Sequence, residues 1–511
     1  DDYQWQLEAS IAGESMPAGQ WHLAGPGDTL GLRVERGVGQ VLEGQVGILG
    51  DLTWEPEPRW DLAVTGERLN TALLPDTPSG HLDLAMHTQG TLPEGEAPQA
   101  TVTLEQLSGT LLDYPLALRG KAQLAGDTIQ LQALSAMSGA NEVQASGAVS
   151  PESLDLAWEV RAADPGLFLP GAAGLLLGSG RLAGPVDAPR VEAELAGADL
   201  VLQDTLLQEL QISLQAGLDP DAPLQLTVNA RAQAQDQHDA DLGLSLIGSN
   251  ASHTLQLHAK RGAQQVQAEL AGGVSKQLDA WHGELLDLDL RDPLLGQWRL
   301  RQPTTLAASA EAASLGRACL ARQDQSGSAC TRLEWQGSGS SALALELSNL
   351  PLQSLVPAMT SRIDGSLQTG LAANGQLSAA GRLTLSAGEI RLETNGETRT
   401  LAHGGGALSL AIDSDGLRAD VGFDAPEQGR LDASVAVPDL RALPLPETLP
   451  LEGRVLAQLP DLSGVAAWFE ELASSQGSLA ADLSLAGTLQ HPRFNGTLTL
   501  ENGAAGIPEA G

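Results

Sequence analysis

Apolar and polar residues take turns along this chain with a period of two. "LDLAWEV" puts Leu154, Leu156, Trp158 and Val160 on one side of an extended backbone and Asp155, Ala157 and Glu159 on the other. The same phase recurs at Leu82 and Leu84, at Leu242, Leu244 and Leu246, at Leu255 and Leu257, and at Leu343, Leu345 and Leu347. It returns at Leu408, Leu410 and Ile412, at Leu431, Ala433, Val435 and Val437, at Leu483 and Leu485, and at Leu498 and Leu500. Side chains of a strand alternate between its two faces, so each stretch reads as a strand with one apolar and one wet face. Turn signals separate the stretches, among them "AGD" at 125–127, "DSDG" at 413–416 and "ENG" at 501–503. One turn every ten to fifteen residues gives roughly 35–40 strands. The expectation is an all-β chain, elongated and repetitive.

Helical periodicity is scarce. "LSGVAAWFEELAS" sets Val465, Trp468, Phe469 and Leu472 on one helical face with Ser463 as a cap, and "PLQSLVP" suits a single turn. Glycines ten apart bracket alternating stretches at Gly80–Gly90, Gly174–Gly184, Gly262–Gly272, Gly365–Gly375 and Gly477–Gly487. At this glycine content the spacing alone arises by chance. Two copies carry more: Pro189-Arg190 and Pro492-Arg493 follow the second glycine at the same distance. The reading is one continuous repetitive sheet over 1–511 without sharp boundaries. Its degenerate units lie near 60–150, 151–240, 241–340, 341–430 and 431–511.

Composition excludes several functions. With 64 acidic against 28 basic residues the net charge is −36, and no basic stripe exists to meet a phosphate backbone, so nucleic acid is not an expected partner. Aromatic residues are 3%, which suits a thin aliphatic layer better than a thick packed core. No run approaches the ~18 apolar residues of a membrane span. The start at "DDYQWQLEA", already alternating, suggests a mature or excised piece of something longer.

Catalytic motifs are missing: no GxSxG, HExxH or Walker A pattern occurs. "GSGRLA" at 178–183 imitates a dinucleotide loop, but Gly184-Pro185 follows and opens no helix. Asp287 and Asp289 share the polar phase of one strand, which reads as a wet face rather than a cleft. The expectation is a protein without catalysis, metal or cofactor. Cys319 and Cys330 lie eleven positions apart across a Gly/Ser-rich bend. A bridge between adjacent strands would contribute ~3 kcal/mol and imply an oxidising compartment; two unlinked thiols are the alternative.

"WHGELLDLDLRDPLLGQWRLRQP" followed by "ACLARQDQSGSACTRLEW" resembles a stretch of the TamB family, translocation and assembly module subunits. The order is a W-x-G-x-L strand (Trp281, Gly283, Leu285), a G-x-W strand (Gly296, Trp298) and two cysteines (Cys319, Cys330). "LELSNLPLQSLVP", "LAGDTIQLQALSAMSGANEVQASGAV" and the terminal "GSLAADLSLAGTLQHPRFNGTLTLENGAAGIP" are similar too, so the resemblance covers essentially the whole chain. It implies an AsmA-like periplasmic sheet in a Gram-negative bacterium, curled into an open, taco-like groove with an apolar inner face. It further implies an inner-membrane anchor, a TamA-type outer-membrane barrel as partner, and phospholipids as cargo. Neither anchor helix nor terminal docking domain is visible in these residues.

A long one-faced sheet must deal with its apolar side. A second sheet would bury it; a curled groove would leave a trough, and exposed apolar surface on that scale marks a binding site. Stacking the expected strands at ~4.8 Å gives a body roughly 170–190 Å long. Two sixteen-carbon acyl chains crossing water cost over ~20 kcal/mol at ~0.8 kcal/mol per methylene, a barrier such a trough removes. The expected lining is the set of apolar-phase residues named above, the Leu431–Val437 stretch apart. Leu345→Arg and Leu485→Arg are expected to keep secondary structure and block transfer. The alternative function is a scaffold or chaperone offering strand edges to outer-membrane proteins or autotransporters. A surface β-solenoid fits less well with the irregular hundred-residue spacing.

Overall fold

The computed structural model describes residues 2–13, 16–74, 77–202, 205–233, 239–324, 326–354, 356–394, 397–425, 429–441, 448–463 and 474–506. Among them are 35 strands, every pairing antiparallel, and three short 3-10 turns, Thr71–Leu73, Pro165–Leu167 and Leu352–Ser354. The last turn is the one expected in "PLQSLVP". The helical stretch at 464–473 lies outside the described residues.

Two compact units divide the chain, Asp1–Asn250 and Ala251–Gly511. In the first, strands from Tyr3–Gly13 to Asp239–Ser249 pair with their sequence neighbours as a meander. One place in the ladder is filled by two short strands: Gly31–Val34 and Arg36–Val41 both lie between Met16–Gly27 and Gly44–Thr53. The second unit repeats the device. Gly296–Leu300 and Thr304–Ser309 share the place between Ala280–Asp292 and Ala312–Arg322. Arg301 sits at the break and donates its N–H to the Cys319 carbonyl at 2.8 Å.

Cys319 and Cys330 stand directly opposite each other on the next ladder and are bridged. A bulge lies beside them, between Leu315 and Ala318. The covalent link therefore stands where two neighbouring ladders lose regular hydrogen bonds. Its sulfurs belong to the polar phase, since Leu333 and Thr331 face Leu343 and Leu345 on the apolar side.

A two-stranded hairpin, Gly388–Thr394 and Glu397–His403, leaves the second unit's sheet, and the strands flanking it pair with each other. Its base is tied down: the N–H of Thr360 bonds the Glu389 carbonyl, and the N–H of Arg391 bonds the Ala358 carbonyl. Buried His403 stands within 2.7 Å of the buried Ser361 hydroxyl and accepts the Gly405 N–H on Nδ1, so its Nε2 carries the proton in the neutral ring.

The strand-turn-strand segments with Pro-Arg fold alike. Ala172–Pro185 returns as Arg190–Leu202, and Ser474–Gly487 returns as Pro492–Gly506. Both glycines of each copy have positive φ: 106° and 114° at Gly174 and Gly184, 109° and 106° at Gly477 and Gly487. The first of each pair marks a bulge and the second a turn, conformations that suit glycine. "DSDG" closes a tight hairpin with Asp413 opposite Gly416. "ENG" differs from expectation: Glu501 to Gly503 continue the strand Pro492–Gly506, with Asn502 at φ 52° beside the bulge. A bulge and a turn both need a positive φ, and the letters do not separate them.

Candidate functional site: a half-exposed apolar face

Tracing residues across the ladders shows what alternation builds. In the first unit one cross-strand row runs Ile48, Val64, Met86, Leu104, Gly120, Leu134, Ala145, Trp158, Gly180, Ala193, Leu214, Leu226 and Leu246. No polar side chain interrupts it over thirteen strands, a contour of roughly 58 Å at ~4.8 Å per strand. Leu84 and Leu82 stand one and two steps along their strand from Met86. Leu154, Leu156 and Val160 flank Trp158 on the same face, as Leu242 and Leu244 flank Leu246.

The second unit carries equivalent rows. Ala329, Leu347, Gly365, Leu383, Leu408, Val421, Ala433, Val455, Leu483 and Gly496 form one. Beside it run Thr331, Leu345, Leu367, Gly381, Leu410, Ala419, Val435, Gly453, Leu485 and Phe494. Leu343 and Ile412 lie one step further out, Leu255 and Leu257 occupy the same phase facing Leu270 and Ala268, and Leu498 and Leu500 face Ala481 and Leu479.

Each unit thus collects its share of the expected lining residues on one face. Most are half-buried; few are sealed. Only sixteen apolar residues among those described are buried, and they lie mainly toward strand ends. A second layer filling this face would have buried the middle of each row. Residues absent from the expectation, such as Val64, Leu104, Leu214 and Leu367, carry the same period-two signal and needed only a longer reading of it.

Leu485 departs from the pattern. At 9% exposure it packs with Val437, Leu449 and Leu451, against which Leu417, Val435 and Leu440 lean. Leu449 and Leu451 reach it because 449–451 extends the ladder: the Leu451 N–H bonds Gly487, and the Leu489 N–H bonds Leu449. This corner is a small core rather than open face, so Leu485→Arg would strike packing first. At the opposite extreme, Phe494, Leu498 and Leu500 on the strand Pro492–Gly506 are 61%, 62% and 56% exposed.

The other face is ionic. Arg181 grips Asp155 through two bonds of 2.6 Å, and Arg454 grips Asp482 through bonds of 2.8 and 2.6 Å. Arg33–Asp51, Arg231–Asp241 and Arg430–Asp432 repeat the motif. Hydrogen bonds from these guanidiniums hold the carboxyls of Asp155, Asp432 and Asp482 below the usual carboxylate range. Asp287 and Asp289 belong here too, bonded to Arg299 and Gln297. A depression of about 860 Å³ is lined by Arg119, Lys121, Gln144, Glu159 and Glu192 together with Leu134 and Trp158. Its lining combines charged and polar side chains with seven members of the apolar row, from Leu104 to Ala193. Among the described residues no group of three or more His, Cys, Asp or Glu converges as a metal site requires.

Sequence comparison decides the kinship. The family described as "TamB, N-terminal domain" matches residues 1–500. The chain belongs to the TamB family. One TamB relative, the translocation and assembly module subunit TamB of Haemophilus influenzae, is 24% identical over 306 residues. That match takes in 57% of this chain and 23% of the relative, so it spans less than a quarter of that TamB's length. Among the described residues no helix is long and apolar enough to cross a membrane, which says nothing of β-barrels.

Proposed function

We propose that this TamB-family chain carries phospholipid acyl chains along its apolar face, without catalysis, in the cell envelope of a Gram-negative bacterium, as part of outer-membrane biogenesis. The single observation behind this reading is the uninterrupted apolar row, half-exposed along its length, on the reverse of an ionic, wet face. An acyl chain on such a row keeps most of the ~0.8 kcal/mol per methylene that water would cost it, while the headgroup stays hydrated. Leucine, valine and alanine give contact without a deep pocket, so affinity stays low enough for movement. In the intact protein, the inner membrane and a TamA-type barrel are the proposed flanking partners.

A second reading has its own observation. The strand Pro492–Gly506 pairs on one side with Ser474–Gly487 and presents three exposed apolar side chains, a surface that would also accept an incoming strand of an outer-membrane protein.

Photo-reactive residues at Leu226 and Leu345, with Gln225 and Gln368 as polar-face controls, separate the two readings. Lipid adducts at the first pair and none at the controls are expected. Polypeptide adducts there, or equal lipid capture on both faces, would refute the conduit.

A further inference from the structure

On the apolar face of the first unit the widest side chains stand opposite the smallest. Trp21 faces Gly39 across its ladder, Trp60 faces Gly90, and Trp158 faces Gly180. In each pair the indole fills the space a glycine Cβ would take. A Cβ on Gly39 would lie 2.6, 2.7 and 2.8 Å from Cε3, Cζ3 and Cδ2 of Trp21, its three nearest neighbours. One on Gly180 would lie 2.5 Å from Cζ2 of Trp158, and one on Gly90 closer still to the ring of Trp60. None of the three glycines has a positive φ, so turn geometry does not explain them. At Gly90 and Gly180 a carbonyl oxygen of the neighbouring strand is close as well, which leaves Gly39 as the clearest case.

Glycine inside a strand weakens it, and leucine opposite alanine, as at Leu214 and Ala193, covers the sheet without that cost. What the ring-and-glycine pair adds is a broad apolar plate lying low on the sheet. The rings are half-buried, with one side against the glycine. Carbon atoms sit comfortably at about 3.5–4.0 Å, so a methyl group in the seat would lift the ring by about 1 Å toward the open side. The second unit uses the same device: Trp281 covers Gly272 and Gly283, and its indole N–H donates to His253 Nε2 at 2.8 Å.

We propose that the glycine-seated indoles set the depth at which a lipid tail lies on this face. Trp21, Trp60 and Trp158 are positioning residues for the acyl chain, and Gly39, Gly90 and Gly180 are the seats that keep them out of its path. This rests on the conduit reading.

The test uses the 511-residue chain and vesicles of phosphatidylethanolamine and phosphatidylglycerol containing a pyrene-labelled phosphatidylethanolamine. Gly39→Ala should slow uptake of the labelled lipid at least fivefold with unchanged far-ultraviolet dichroism. Gly39→Ala combined with Trp21→Leu should take up lipid at least twofold faster than Gly39→Ala alone, because the seat no longer lifts a ring. Uptake by the single variant within twofold of wild type overturns the proposal, as does a double variant that stays slow. A second measurement needs no crowded variant. Phospholipid brominated on its acyl chains should quench the fluorescence lost in Trp21→Phe at least twice as strongly as the protein average; an unquenched Trp21 component overturns the proposal. A wild-type chain that takes up no lipid removes the conduit reading itself, an outcome that involves no substitution.

Discussion

Replacing Leu345 by Arg puts a cation near one end of an apolar row, between Thr331 and Leu367. Leu345 is half-buried, so the fold loses only part of the ~1.5–3 kcal/mol that full burial of a leucine supplies, about 1 kcal/mol. The new side chain has room to reach solvent with its charged end. The consequence for a sliding acyl chain is larger. One strand spacing of ~4.8 Å is spanned by about four methylenes, and taking them off an apolar surface costs ~3 kcal/mol at ~0.8 each. At ~1.4 kcal/mol per factor of ten that is a slowing of about 100-fold. The assay is transfer of labelled phospholipid between vesicles, with far-ultraviolet dichroism as the folding control. A folded Leu345→Arg that transfers lipid within threefold of wild type would show that tails do not follow this row, and the argument would fall. Arginine at the neighbouring polar-phase Glu346 should change little.

Leu485→Ala tests the small core instead: losing contact with Val437, Leu449 and Leu451 should cost ~3 kcal/mol, read as a lower denaturant midpoint of the second unit. Cys319→Ser with Cys330→Ser should cost a similar ~3 kcal/mol from the eleven-residue loop. Because the bridge is on the polar side, lipid transfer by the folded variant should be unchanged. Burial lowers the pKa of His403 from its usual value near 6.5. A depressed folded pKa means the unfolded chain binds the proton first, so this contribution is intact above about pH 6.5 and is lost as pH falls through the folded value. Hydrogen exchange at the Gly405 amide, which bonds His403 Nδ1, should accelerate relative to its intrinsic rate between pH 7 and 5; constant protection would refute the assignment. The exposed Arg–carboxylate pairs behave in a different window. The depressed carboxyls of Asp155 and Asp482 keep their contribution above the ordinary carboxylate range and lose it only as pH falls through their lower folded values, and salt should weaken the pairs throughout.

Sequence alone determined which side of each strand is greasy. Leu154, Leu156, Trp158 and Val160 share a face whatever they pair with, because side-chain alternation is a property of one extended chain and needs no partner. The turn chemistry of "DSDG" and the Pro-Arg hairpins was equally local, and so legible. Register was not, because it depends on pairings made tens of residues apart. That Trp60 lies over Gly90, that Leu345 meets Leu367, and that "ENG" bulges instead of turning were decided by neighbours no window of sequence contains. The same holds for Leu485, one more leucine in an alternating run until 449–451 extends the ladder beside it. Local periodicity drew the two faces; only the tertiary ladder decided which residues line up into a row and where that row is covered.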